Sequence, residues 1–183
     1  MPNVITIGAA TRDVFMVSKN FRIMPSAKSK TGAYECVALG SKIEVDQMVL
    51  TTGGGATNAA ATFASLGLDT ATVARIGSDS PGRGLIDELR QNKINTDLIK
   101  TVRNGETAYS VILTAPTGER AVLVRRGVSA TFSEKDIPWN KLKSDWLYLT
   151  SLGGNLALAK KIIKTAHQKN IQVAYNPGMK EIE

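Results

Sequence analysis

Thr52-Gly53-Gly54-Gly55-Ala56-Thr57-Asn58-Ala59-Ala60 sets three consecutive glycines directly ahead of an alanine-rich segment. Glycine loses more backbone freedom on folding than any other residue, so such a run marks a sharp bend or a close approach of a ligand to the main chain. A helix starting just after it presents unpaired N–H groups and the positive end of its dipole, which suits an anion or a hydroxyl-rich ligand. A flexible turn with a plain helix cap is the competing reading. Working outward, Leu66-Gly67 is followed by an apolar run from Thr70 to Ile76. Then come Gly77-Ser78-Asp79-Ser80-Pro81-Gly82 and a segment of helical period from Gly84 to Lys93.

Elsewhere the chain alternates strand and helix signals, which predicts a mainly parallel sheet with helices on both faces. Strands are expected at Val4–Ile7, Thr70–Ile76, Trp146–Thr150 and Ile171–Tyr175. Helices are expected at 57–65, 85–92 and 156–168; the last carries Leu158, Ile162, Ile163 and Ala166 at helical spacing. Two segments break the pattern. Residues 32–50 alternate apolar and polar, and residues 107–125 form two alternating runs around Pro116-Thr117-Gly118-Glu119, a hairpin signal. Both read as one small antiparallel sheet or as an edge extension of the main sheet. Tyr109, Val111 and Leu113 share one face of the first run, and Val122 and Val124 one face of the second.

The 183 residues fit one domain, and 43% hydrophobic with 21% charged residues is the balance of a globular chain. No apolar run is long enough for a membrane span, so no membrane partner is expected. The net charge of +7 comes from scattered basic residues, and only 5% of residues are aromatic, so no nucleic-acid partner is expected. Cys36 is the only cysteine, which suits a reducing cytoplasm. Asp79, two residues before Pro81, reads as the cap of the helix that follows. The first strand leads into Gly8-Ala9-Ala10-Thr11-Arg12-Asp13 and not G-x-G-x-x-G, which disfavours a dinucleotide-binding oxidoreductase.

The order GG-x-x-x-N, LG, G-x-D-x-x-G, with Val4-Ile5-Thr6-Ile7-Gly8 leading to Asp13, resembles the amino-terminal portion of the ribokinase-like carbohydrate kinases of the phosphofructokinase-B type. Arg125-Arg126-Gly127 and Asn176-Pro177-Gly178 also fall in familiar places. The resemblance implies an α/β fold in which segments 32–50 and 107–125 form a small antiparallel β lid over a sugar site. It implies ATP-dependent phosphorylation of a sugar hydroxyl, with ATP and Mg²⁺ as cofactors of the complete enzyme. Substrate-binding roles fall to Asp13, Gly53, Gly54, Asn58, Arg126 and Ser151. Asp13 would accept sugar hydroxyls, following a short loop, residues 9–12. Gly53 and Gly54 would form a hinge. Asn58 would bind a diol or cap its helix. Arg126 would meet an acidic sugar's carboxylate or shield a strand edge, and Ser151 would line the sugar site or cap a helix.

The family's Gly-Ala-Gly-Asp catalytic motif and its Asn-x-x-Glu motif are absent from these residues. The expectation is therefore a chain without its carboxy-terminal part, holding neither catalytic base nor metal ligand and binding no nucleotide tightly. Its function is sugar phosphorylation as part of a cytoplasmic kinase, or else that of a non-catalytic sugar-binding or regulatory module. A homodimer is expected through the lid, at Val111, Leu113, Val122 and Val124, or through the face that a missing half would cover. The sugar is left open among pentoses, hexoses, keto-acid sugars and nucleosides.

Overall fold

The computed structural model describes residues 3–183. The chain begins β1 (Asn3–Ile7), β2 (Thr11–Val17), β3 (Arg22–Pro25), β4 (Ala33–Cys36) and β5 (Gln47–Gly53), followed by α1 (Gly55–Ser65). It continues through β6 (Asp69–Val73), β7 (Arg75–Gly77), α2 (Ser80–Gln91), β8 (Lys100–Val102), β9 (Ala108–Thr114) and β10 (Arg120–Arg125). Three 3₁₀ turns between Gly127 and Lys141 lead to β11 (Trp146–Leu149), α3 (Leu156–Gln168), β12 (Gln172–Tyr175) and α4 (Met179–Ile182). These elements form two compact units. The larger holds residues up to 12, 52–108 and 126–183; the smaller holds 13–51 and 109–125.

The larger unit is built on a four-stranded sheet in the order β12-β11-β1-β6, in which neighbouring strands run parallel. Parallel strands are covered on both faces and therefore read as continuous apolar runs. One face packs Ile5, Ile7, Leu147 and Leu149 against Leu158, Ile162 and Ala166 of α3, with Phe132, Ile137 and Leu142 closing the cluster. On the other face lies α1, whose buried positions are Ala56, Thr57 and Ala60; side chains this small let the helix backbone come close to the strands. There the Thr6 hydroxyl donates to the Thr72 hydroxyl at 2.8 Å, giving these buried polar groups a partner. A second cluster joins Leu85 and Leu89 of α2 to Ile76, Ile94, Ala10 and Ala60.

The run expected as one strand over Thr70–Ile76 is two. β6 ends at Val73, and β7 pairs in parallel with β8 in a separate two-stranded sheet. The change of partner is visible at Ala74, whose carbonyl accepts from the Lys100 amide at 2.9 Å. Helix α2 begins at Ser80, earlier than 85, because Asp79 caps it: its carboxylate accepts the Gly82 amide at 3.1 Å, with Pro81 in the first turn.

The smaller unit has a four-stranded sheet in the order β10-β9-β2-β5 and a separate hairpin, β3 with β4. Segment 32–50 is thus not one piece of a single sheet: β4 pairs with β3, whereas β5 joins β2. Strand β2 occupies the stretch expected to be a loop and its sequel, so Asp13 lies inside a strand. The β9–β10 hairpin is antiparallel, with Val111 opposite Leu123, Ser110 opposite Val124 and Ile112 opposite Val122. Directly opposed residues share a face. Val111 and Leu113 therefore stand on the opposite face from Val122 and Val124. Ala108, Ser110 and Ile112 are the buried side of β9.

Candidate functional site

The chain passes between the two units after Arg12, Thr51, Ala108 and Arg125. Along the chain, Asp13 follows the first passage, Gly53 and Gly54 come just after the second and Arg126 follows the fourth, whereas Asn58 and Ser151 lie within the larger unit. Close to the third is Ser110.

In the smaller unit, Asp13 is half-buried in β2, and its Oδ1 is enclosed with no hydrogen-bond partner among the described residues. Burial of the carboxyl holds its pKa above the ordinary value, and a hydrogen bond from Ser110 works in the opposite direction. A carboxylate with one oxygen enclosed and idle is poised to accept a ligand's O–H. Ser110 was not singled out from the sequence. Its signal was there: a hydroxyl between Ala108 and Ile112 on the inward face of an otherwise apolar run.

In the larger unit, Gly54 opens α1 with φ near +102°, a conformation that favours glycine. A Cβ there would also fall 2.5 Å from the Ala9 carbonyl oxygen. That carbonyl accepts the Ala56 amide at 3.1 Å, so the loop after β1 and the start of α1 are stitched together backbone to backbone. Gly53 is buried, and its carbonyl accepts the Thr57 hydroxyl at 2.5 Å. Asn58 is exposed in the first turn. It does not cap the helix, because Gly54 holds the cap position with no side chain in the capping role.

Arg126 is exposed and begins the turn Gly127–Thr131 immediately after β10; Ser129 within that turn donates to the Ala10 carbonyl at 3.3 Å. Ser151 does not cap α3, a role taken by Asn155 through the Leu158 amide at 3.1 Å. The Ser151 hydroxyl instead meets both carboxylate oxygens of Glu181 at 2.9 Å. Asp79 is a structural acceptor. Burial raises its pKa, but the Thr107 hydroxyl and the amides of Thr107 and Gly82 outweigh that and hold it below the ordinary value. Among the described residues, no three His, Cys, Asp or Glu side chains converge as a metal cage. No helix is long and apolar enough to cross a membrane.

An ATP-dependent ribose-1-phosphate kinase from Halopiger xanaduensis is 30% identical over 127 residues, covering 69% of this chain and 42% of that protein. The structure of ribokinase from Giardia lamblia superposes with a TM-score of 0.78 at 20% identity, covering 98% of this chain and 56% of that one. Arabidopsis thaliana ribokinase, solved with ribose and ATP, gives a TM-score of 0.70 at 19% identity, over 95% of this chain and 53% of that one. The fold is thus ribokinase-like, and the chain spans about half the length of the proteins it matches. Residues 1–181 match the pfkB family of carbohydrate kinases from end to end, and the chain belongs to that family.

Proposed function

We propose that this chain supplies the sugar-binding portion of an ATP-dependent carbohydrate kinase acting on a ribose-type sugar. The observation that carries the reading is the Asp13 carboxylate, one of whose oxygens is enclosed without a partner. An ionised carboxylate accepts O–H donors strongly, and two sugar hydroxyls would satisfy it. Gly53 and Gly54 give the backbone freedom and closeness for a ligand at the start of α1, and the exposed amide of Asn58 can donate and accept to neighbouring hydroxyls. Arg126 would add preference for a sugar that carries an acid group. Ser151 is a weaker member of the set, since Glu181 already engages its hydroxyl.

In the whole protein, ATP would supply the phosphoryl group, with Mg²⁺ shielding its charge. The described residues offer no carboxylate cluster for that ion. The proton acceptor for the attacking hydroxyl is proposed to lie outside these 183 residues, which contain no Gly-Ala-Gly-Asp motif. That same absence favours a second reading, a sugar-binding module without catalysis. A cytoplasmic setting and a homodimer belong to the proposal as well.

Two measurements test it. Calorimetric titration of ribose and a panel of other sugars into the chain should show saturable binding that Asp13→Asn weakens; a panel with no binder, or binding indifferent to Asp13→Asn, would overturn the reading. Incubated alone with ATP and the bound sugar, the chain should form no sugar phosphate. A sugar-dependent product abolished by Asp13→Ala would show instead that the catalytic groups are all present.

A further inference from the structure

Beyond the sugar reading, the larger unit holds a site of opposite chemistry, made of donors where Asp13 is an acceptor. It lies in the loops after β11 and β12, at the carboxyl ends of parallel strands, where open α/β sheets bind ligands. Glu181 fills it. One carboxylate oxygen accepts the amides of Leu152 and Gly154, each at 2.8 Å, and the Ser151 hydroxyl at 2.9 Å. The other accepts the Gly178 amide at 3.0 Å and shares the Ser151 hydroxyl. No cation takes part in these contacts; the charge is held by main-chain and hydroxyl donors alone, and they keep the Glu181 pKa below its ordinary value against the cost of burial.

The loop that carries most of these donors has a special backbone conformation. Gly153 and Gly154 have φ near +73° and +94°, successive left-handed residues that turn neighbouring amides toward one point, as in the backbone concavities that bind anions. Three of the four donors come from residues 151–154, remote in sequence from Glu181; only Gly178 belongs to its own turn. The cradle is tight: a Cβ on Gly178 would stand 2.6 Å from the Ser151 hydroxyl and 2.8 Å from the Glu181 carboxylate. By contrast, α4 is a single turn whose apolar residues face solvent, Met179 at 68% and Ile182 at 65% exposure. Little apolar burial holds Glu181 in place. Were it to withdraw, the amides of Leu152 and Gly154 and the Ser151 hydroxyl would lose their acceptor, which half-buried donors tolerate poorly.

A further polar group is unused. The Tyr175 phenol at the end of β12 is enclosed with no hydrogen-bond partner among the described residues, near enough to Glu181 to feel its charge. A carboxylate has two oxygens, and both are engaged. A phosphate has a third to offer that phenol.

The geometry points to an oxyanion site, formed by Ser151, Leu152, Gly154 and Tyr175, that Glu181 occupies as an internal stand-in and that the phosphate group of a small ligand takes by displacing it. A tethered competitor lowers the apparent affinity by the fraction of time it leaves the site open.

The test is a titration of inorganic phosphate into the isotopically labelled chain, following the amide resonances of Leu152 and Gly154, with acetate as a parallel arm. In wild type, phosphate should bind weakly and move both amides. Glu181→Ala and the milder Glu181→Gln should tighten phosphate binding by about tenfold or more, as expected when the competitor is removed. Adding Ser151→Ala to either should abolish the gain, and adding Tyr175→Phe should weaken it several-fold for phosphate but not for acetate. Circular dichroism checks that each variant is folded; if Glu181→Ala is not, Glu181→Gln and the wild-type titration carry the test. Unmoved Leu152 and Gly154 amides in folded Glu181 variants would overturn the site. Acetate binding there while phosphate does not would overturn its assignment to phosphate. None of these readouts involves Asp13, so the sugar reading can fail while this one stands, and the reverse.

Discussion

At the scale of single residues, Asp13 does two opposed things. Its enclosed oxygen is an asset for a ligand and a cost for the empty protein. Each charge-assisted bond to a sugar hydroxyl contributes about 1.5–3 kcal/mol, so Asp13→Asn should weaken sugar binding by tens-fold. The same substitution should leave the unliganded protein as stable as before, or more stable, at neutral pH. Burial raises the folded-state pKa of Asp13 above the ordinary 3.8, so the folded state holds its proton to higher pH than the unfolded state. Its contribution is favourable below 3.8 and falls away as pH rises through the folded value. Chemical denaturation at pH 7 with and without sugar separates the two effects. A variant less stable when empty, yet unaltered in sugar binding, would make Asp13 a structural residue.

Elements show where sequence was legible and where it was not. Helix α3 was read to the residue because its apolar positions recur at helical spacing and Asn155 caps it. The glycines before α1 were legible from composition alone, since nothing but a special backbone conformation explains them. The break at Ala74 was not, because continuous apolar character reports burial and says nothing of which strand a residue pairs with. Strand β2 was hidden by its polar start, Thr11-Arg12-Asp13, and β3 by Pro25 and the lack of alternation. The engagement of Asp13 by Ser110 and of Ser151 by Glu181 joins residues far apart in sequence, which local pattern cannot reveal. Register settles a question that alternation left open, namely which hydrophobic residues of the hairpin belong together. Val122 and Val124 share the face of Ser110, the partner of Asp13, whereas Val111 and Leu113 share that of Leu123 and Ala121. Leu123 is 58% exposed on an outer strand, and exposed apolar edges invite pairing with another copy. If the chain self-associates through this sheet, Leu123→Lys or Val111→Lys should dissociate it in sedimentation over a concentration series, with Val122→Lys acting on sugar binding instead. A dimer untouched by Leu123→Lys but broken by Trp146→Lys would move the contact to the main sheet, where Trp146 is 43% exposed.

For the whole molecule, the perturbed carboxylates divide between the two units by sign. Asp79, Asp136 and Glu181, all in the larger unit, have pKa values held down. In each case burial opposes ionisation but is outweighed: by Thr107 and backbone amides at Asp79, by Lys100, Ser133 and Arg75 at Asp136, and by the four donors at Glu181. Asp13 and Glu35, both in the smaller unit, have theirs pushed up, chiefly by burial. A group with a depressed folded pKa stabilises above its unfolded value, here 3.8 for Asp and 4.5 for Glu, and that stability is lost as pH falls through the folded value. A group with a raised folded pKa does the reverse: the folded state binds the extra proton, so stability grows as pH falls toward the unfolded value. Acidification from neutral should therefore strengthen the smaller unit while pH falls toward the range 4.5–3.8, and weaken the larger one once pH passes below it. Amide hydrogen exchange, corrected for the intrinsic pH dependence of the reaction, reads local opening free energies unit by unit. Protection in β9 and β2 should rise relative to that in β1 and β11 as pH is lowered, and the double variant Asp13→Asn, Glu35→Gln should remove the rise. Parallel changes in both units at every pH would mean that they open only together, and that the opposite signs of their carboxylates cancel in a single global transition.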